Sequence, residues 1–191
     1  MAPRILAFAG SARDGSLNRK LVRIAAEGAR AAGAVVTLVE LREYPLPLYD
    51  GDLEAKEGLP PNARKLKDLF LAHQGLLIAA PEYNSSITPL LKNTIDWVSR
   101  SAPGEAPLAC YDGKVAALLS ASPGSLGGLR GLTVVRLCLS SIRVLVLPDQ
   151  VAVPSAGDAF GDDGRLKDEK RHAAVEKLGA TLARAVAKLV A

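Results

Sequence analysis

The chain has 191 residues, 49% of them hydrophobic and 23% charged, with a formal net charge of +4 at neutral pH. That length suits one well-cored domain spanning residues 1–191, because a chain of this size buries roughly 70% of the surface its extended form exposes. The basic excess is scattered among acids and only 4% of residues are aromatic, so the clustered cationic face or stacking platform that nucleic-acid binding requires is absent. No apolar run reaches the length of a membrane span. Two cysteines (Cys110, Cys138) and two histidines (His73, His172) do not form a spaced zinc site, and no metal is expected. The cysteines read as reduced thiols of a cytoplasmic protein.

Short apolar runs alternate with helical patterns along the whole chain. Arg4 to Ala9 reads as a strand, and Leu17 to Ala32 as a helix with Leu21, Ile24, Ala25 and Gly28 on one face. Val35 to Leu41 is strand-like, and the prolines of Tyr44 to Gly51 make that stretch a loop. Asn62 to His73 is an amphipathic helix, Gly75 to Ala80 a buried strand, and Pro89 to Arg100 a helix in which Trp97 is a packing residue. Lys114 to Ser120 is the fourth strand, Leu129 to Ser140 a helix, Arg143 to Leu147 the fifth strand, and Asp168 to Val190 the closing helix. Both histidines fall in charge-rich helical patterns and are expected at the surface.

This alternation implies a five-stranded parallel sheet with helices on both faces. Right-handed crossovers make the strand order 2-1-3-4-5, whose switch point lies between strands 1 and 3. A ligand is then expected at the loops after Ala9 and Ala80, where the composition changes character.

The first of these loops is Gly10-Ser-Ala-Arg-Asp-Gly-Ser-Leu-Asn18. It joins a strand to a helix, so main-chain N–H groups and the helix dipole converge there. Ser11, Ser16 and Asn18 add short polar groups, and Arg13 adds a fork suited to phosphate. Ser16 stands where a Walker loop needs lysine, and the glycine spacing is wrong for a dinucleotide fingerprint, so a terminal monophosphate fits best. The same residues also read as an N-cap cluster, with Asp14 or Ser16 capping the helix. The second loop, Pro81-Glu-Tyr-Asn84, places polar groups straight after a buried strand and suits a flat heterocycle, although Glu82 also reads as a solvated loop acid. The third, Ser122 to Gly128, permits close backbone approach through its glycines. No nucleophile elbow occurs, and no catalytic side chain is assigned.

Gly10 to Lys20 resembles the phosphate-loop signature of the NADPH-dependent FMN reductases, which include chromate and quinone reductases. Pro81 to Ser86 together with Leu91 to Arg100 is similar to their flavin-loop signature. The resemblance implies a flavodoxin-like fold, non-covalent FMN, and NAD(P)H as co-substrate in a homodimer or homotetramer. It places Ser11, Arg13, Ser16, Leu17 and Asn18 at the FMN phosphate, Pro81, Glu82, Tyr83 and Asn84 beside the ring, and Ser122 in the third flavin loop. Arg130 falls near a subunit interface. Thr88-Pro89 departs from the family's Pro-Gly, and Thr133 stands where an aromatic is common. The implied activity is two-step hydride transfer through flavin N5 to a small acceptor: a quinone, free flavin, chromate-like oxyanion or azo compound. The alternative is a flavodoxin-type electron carrier. Such carriers are acidic and enclose the ring between aromatics, whereas this chain is basic and aromatic-poor.

Overall fold

The computed structural model describes residues 1–189. In chain order the elements are β1 (Arg4–Ala9), α1 (Leu17–Ala31), β2 (Val35–Val39), α2 (Gly51–Glu57), α3 (Pro61–Leu71), β3 (Gly75–Ala79), β4 (Glu82–Tyr83), β5 (Ser86–Ile87), α4 (Pro89–Ser99), β6 (Val115–Ala121), α5 (Leu129–Ser141), β7 (Leu145–Val153) and α6 (Glu169–Leu189). The main sheet has the order β2-β1-β3-β6-β7, with every pair parallel. Counted over that sheet, this is the expected 2-1-3-4-5 flavodoxin-like arrangement.

The two-residue period of the strands sorts their side chains into two cores. Ile5, Ala7, Leu77, Ala117 and Leu119 face α1 and α6, against Leu21, Ala25, Val175 and Leu182. Leu6, Phe8, Leu76, Ile78 and Leu118 face the other way, against Leu66, Phe70, Leu91, Ile95 and Leu132. The first core is rich in alanine, and this lets the helices sit close to the sheet. Between α1 and α6 the approach is closest at Gly28 and Gly179. A methyl on Gly28 would overlap the main-chain carbonyl of Glu176, and one on Gly179 that of Ala25.

Several elements differ from the sequence expectation. β7 continues to Val153 rather than stopping at Leu147; its register against β6 slips between the Ala116 and Leu118 pairings. Pro148 and Asp149 lie in that irregularity, where an edge strand tolerates a missing N–H. α2 begins directly after the proline-rich loop, capped by the Asp50 carboxylate, which accepts from the N–H groups of Asp52 and Leu53. The last helix starts at Glu169, and Val190 lies outside the described residues.

Both histidines are buried, not at the surface: His73 is 1% and His172 3% exposed. His73 joins Leu69 O and Thr37 Oγ1 through its two ring nitrogens, and burial pushes its pKa down. The Leu166 N–H donates to His172 Nδ1 at 3.2 Å. His73 lies past the end of α3, in the turn that leads into β3, and His172 faces inward from α6, whose Glu169, Lys170 and Lys177 are exposed. Trp97 is fully buried, edge-on to Tyr49, as a packing residue. None of the helices among the described residues is long and apolar enough to cross a membrane.

The α1–α6 contact generates the first test. Gly→Ala inside a helix gains about 1 kcal/mol of propensity, but here the methyl meets rigid main chain, and overpacking costs about 1–3 kcal/mol or more. Gly28→Ala and Gly179→Ala are therefore expected to lower the urea midpoint. Gly157→Ala, where a methyl meets nothing within 4 Å, should leave it within about 0.5 kcal/mol of stability. A midpoint raised by either helix substitution would contradict the close packing.

Candidate functional site

The carboxyl ends of β1, β3 and β6 lie side by side, so the loops that follow them share one edge of the sheet. Three hydrogen-bonded ties hold these loops together. Gly10 N–H donates to Ala79 O at 2.9 Å. Thr88 Oγ1 donates to Gly10 O at 2.7 Å while accepting the Leu91 N–H at 3.3 Å, so it caps α4 and fastens the first loop together. Pro89 then occupies the first turn of α4, where its missing N–H costs nothing; the departure at Thr88-Pro89 thus builds a capped turn. Asn18 makes the third tie, donating through Nδ2 to Ala121 O at 2.8 Å and accepting Ala121 N–H through Oδ1 at 3.0 Å.

The first loop is braced from outside. Ser16, not Asp14, caps α1 by accepting the Arg19 N–H. Arg19 reaches back to the carbonyls of Arg13 and Asp14 at 3.2 and 3.4 Å, and its Nε lies 2.6 Å from Glu40 Oε2. Asp14 turns outward to pair with Arg42, whose guanidinium lowers the Asp14 pKa. With those partners made, the N–H groups of Ser11, Ala12, Gly15, Ser16, Leu17 and Asn18 have no protein acceptor among the described residues, and the Arg13 guanidinium has no carboxylate partner.

The second loop is a tight hairpin. β4 and β5 pair antiparallel around Asn84 and Ser85, which have φ of 50° and 65°. Two consecutive positive φ values are the signature of a type I′ turn, usually written Asn-Gly; serine in the second place hid the hairpin from the sequence. Tyr83 is 49% exposed beside the cleft. The Glu82 carboxylate reaches the start of α5. Its Oε1 accepts from Arg130 Nε and Nη2 at 2.9 and 2.7 Å, and its Oε2 from Gly131 N–H at 2.9 Å. Burial pushes the carboxyl up, but the Gly131 N–H and Arg130 guanidinium outweigh it and hold the pKa below the usual value. Glu82 is therefore not a solvated loop acid, and Arg130 has a partner within its own chain.

In the third loop, Ser122 Oγ accepts the Gly124 N–H at 3.2 Å, and Gly127 and Gly128 adopt φ of 62° and 89°. A side chain on Gly128 would overlap the Ser120 hydroxyl. Of the residues singled out from sequence, Ser11, Arg13, Ser16, Leu17, Asn18, Pro81, Glu82, Tyr83 and Ser122 line a single cleft, joined by Ala121 and Pro123. Asn84 stands at the hairpin tip, outside that lining. Ala121 and Pro123 carry no chemical signal and are recruited by main-chain position alone.

The cleft offers an uncommitted row of N–H donors at a helix N-terminus, one free guanidinium, and an aromatic on its rim. This donor set fits a terminal phosphate attached to a flat heterocycle. It contains no histidine or cysteine; Cys110 is buried elsewhere, where desolvation pushes its thiol pKa up. The site is built to bind and orient.

A family model described as NADPH-dependent FMN reductase matches residues 3–158. The chain belongs to this family. An NAD(P)H-dependent FMN reductase of Pseudomonas aeruginosa is 36% identical over 175 residues, 91% of this chain and 90% of the relative. A quinone reductase of Pseudomonas putida is 35% identical over 164 residues, 85% of this chain and 83% of the relative. The solved structure of FerB, a flavoenzyme NAD(P)H:(acceptor) oxidoreductase from Paracoccus denitrificans, aligns with a TM-score of 0.81 at 26% identity, covering 97% of this chain and 98% of that one. Family membership makes this NADPH-dependent FMN reductase-type chain an oxidoreductase that uses FMN with NAD(P)H as co-substrate.

Proposed function

We propose that the cleft holds FMN with its phosphate on the Ser11–Asn18 loop and its ring against Pro81–Tyr83, and that the enzyme reduces quinones or chemically similar acceptors. The observation that carries this reading is the row of unpartnered N–H groups beside the free Arg13 guanidinium, facing the hairpin across one cleft. Ser11 and Ser16 add hydroxyls to that row, and Ser122 lines the same cleft from the third loop. Asn18 contributes its main-chain N–H and, through Ala121, the spacing between the first and third loops. Tyr83 borders the space that nicotinamide and acceptor occupy in turn.

Bound FMN supplies hydride acceptance at N5 from NAD(P)H and, in a second step, delivery to the acceptor. The cofactor carries the redox chemistry, so the chain needs no nucleophile or base of its own. Its residues hold the reacting partners in register, which is where positioned encounters gain rate. Free flavin, chromate-like oxyanions and azo compounds are the other acceptors such a site admits.

A homodimer or homotetramer accompanies this reading. Leu126, Leu129, Leu137 and Leu145 are exposed, with Leu137 at 71%, and a second copy would cover this apolar group at α5 and the neighbouring sheet edge. Light scattering on FMN-loaded protein is expected to give a particle larger than the 20.0 kDa monomer; a monomer at micromolar concentration would exclude the assembly.

The division of labour in the cleft is tested by two substitutions. Hydrogen bonds to charged groups contribute about 1.5–3 kcal/mol, so Arg13→Ala should weaken FMN binding roughly ten- to a hundredfold. Once saturated with FMN it should turn over nearly as the wild type, because phosphate contacts serve ground and transition states alike. Tyr83→Ala should keep FMN and change the kinetic constants for nucleotide or acceptor. Equal affinity of the wild type for riboflavin and FMN, or full FMN affinity in Arg13→Ala, would overturn the phosphate assignment.

A further inference from the structure

Helix α5 begins without a cap of its own. Its N-cap is Gly128, at φ 89° with no side chain to offer, and its first turn contains no acid. No serine or aspartate fits in that place, since a side chain on Gly128 would overlap the Ser120 hydroxyl. The helix N-terminus nonetheless carries partial positive charge and orphan N–H groups that need an acceptor. Counting from Gly128, the third helical residue is Gly131, and its N–H is one that an N-cap side chain ordinarily takes.

Here the acceptor arrives from another loop. Glu82 Oε2 takes the Gly131 N–H at 2.9 Å, and Oε1 takes both the Nε and Nη2 of Arg130. The Glu82 side chain is 8% exposed, whereas that of Arg130 is 58%. Gly131 leaves room for it: a methyl there would stand 3.1 Å from Glu82 Cβ. One carboxylate thus caps α5 and anchors the main chain of the Pro81–Tyr83 loop.

We propose that Glu82 is a positioning residue that couples the second loop to α5, so that the ring side of the cleft and the Gly127–Gly128 turn are ordered together or not at all. Through this joint Glu82 acts on the cleft indirectly, by fixing Tyr83 and the turn that follows Ser122. The coupling rests on the FMN reading for its consequence in catalysis, but the joint itself is a property of the chain with or without flavin. Arg130 is the charged side chain that faces the carboxylate from α5, and it favours the ionised form. Because the folded pKa lies below the ordinary glutamate value, the stabilisation is complete above that ordinary value and is lost as pH falls through the folded one.

Hydrogen exchange on the full chain, with and without FMN, tests this together with FMN dissociation followed by flavin fluorescence. Glu82→Gln keeps the size of the side chain and removes its charge; Arg130→Lys keeps the charge and removes the fork. In Glu82→Gln, amide protection should fall in residues 81–87 and 128–132 at once, and FMN should leave at least about tenfold faster, the factor equivalent to 1.4 kcal/mol. Arg130→Lys should fall between this variant and the wild type. The wild type should reach the behaviour of Glu82→Gln only on acidification below the ordinary carboxyl range, while Glu82→Gln shows no such step. Loss of protection in one segment without the other would overturn the coupling, as would identical pH profiles for the wild type and Glu82→Gln. Failure of the wild type to bind FMN would instead defeat the flavin reading, leaving the exchange result to decide the joint separately. Should Glu82→Gln not fold, the acid-dependent protection of both segments in the wild type decides the matter alone.

Discussion

The structure depends first on the pair of hydrogen bonds between the Asn18 side chain and the main chain of Ala121. A parallel sheet brings strand ends together, but it does not bring together the loops that leave them for helices on opposite faces. α1 covers one face and α4 and α5 the other, so the loops after β1, β3 and β6 would otherwise diverge. Asn18 satisfies a buried donor and a buried acceptor at once, and each such bond is worth about 1 kcal/mol. Thr88 does the same between the first loop and α4. The cleft exists because two short polar side chains reach across the diverging chains.

Close packing by small residues makes these reaches possible. At Gly10 a methyl would come within 2.8 Å of Leu91 Cβ, so only glycine lets the first loop lie against α4. Gly131 serves the Glu82 carboxylate in the same manner, and Gly28 and Gly179 let α6 seat α1 beneath the first loop. Electrostatic arrangement follows from this geometry. The arginines bracing the outside of the first loop are matched with Glu40 and Asp14, while Arg13 and a row of N–H groups are left uncommitted toward the cleft. A scaffold of paired charges around a few unpaired donors is the arrangement an anionic cofactor needs.

Much of this was legible in the amino-acid sequence, for reasons that can be named. The strands β1, β3 and β6 are buried on both faces and read as short continuous apolar runs. The first loop carries its chemistry in local order, with serines, Arg13 and Asn18 within one turn of a helix start. What escaped were features fixed by partners distant in the chain. Glu82 shows nothing in its neighbourhood to say that its carboxylate turns to Gly131 and Arg130. The β4–β5 hairpin turns through Asn84-Ser85, without the glycine that announces such a turn. β7 passes through Pro148 because an edge strand can lose an N–H, His73 is buried in the turn after α3 beside the distant Thr37, and His172 faces inward from α6. Local periodicity reports what a residue's neighbours need, and these features answer to residues far away.

A cleft that both holds FMN and admits NAD(P)H to it separates a reductase from an electron carrier of the same fold. Anaerobic mixing of FMN-loaded protein with NADPH, followed by addition of a quinone, measures this directly. Rapid loss of the oxidised-flavin absorbance is expected on the first mixing, and its full return on the second. A flavin that stays oxidised in the presence of excess NADPH and NADH would contradict the reductase reading.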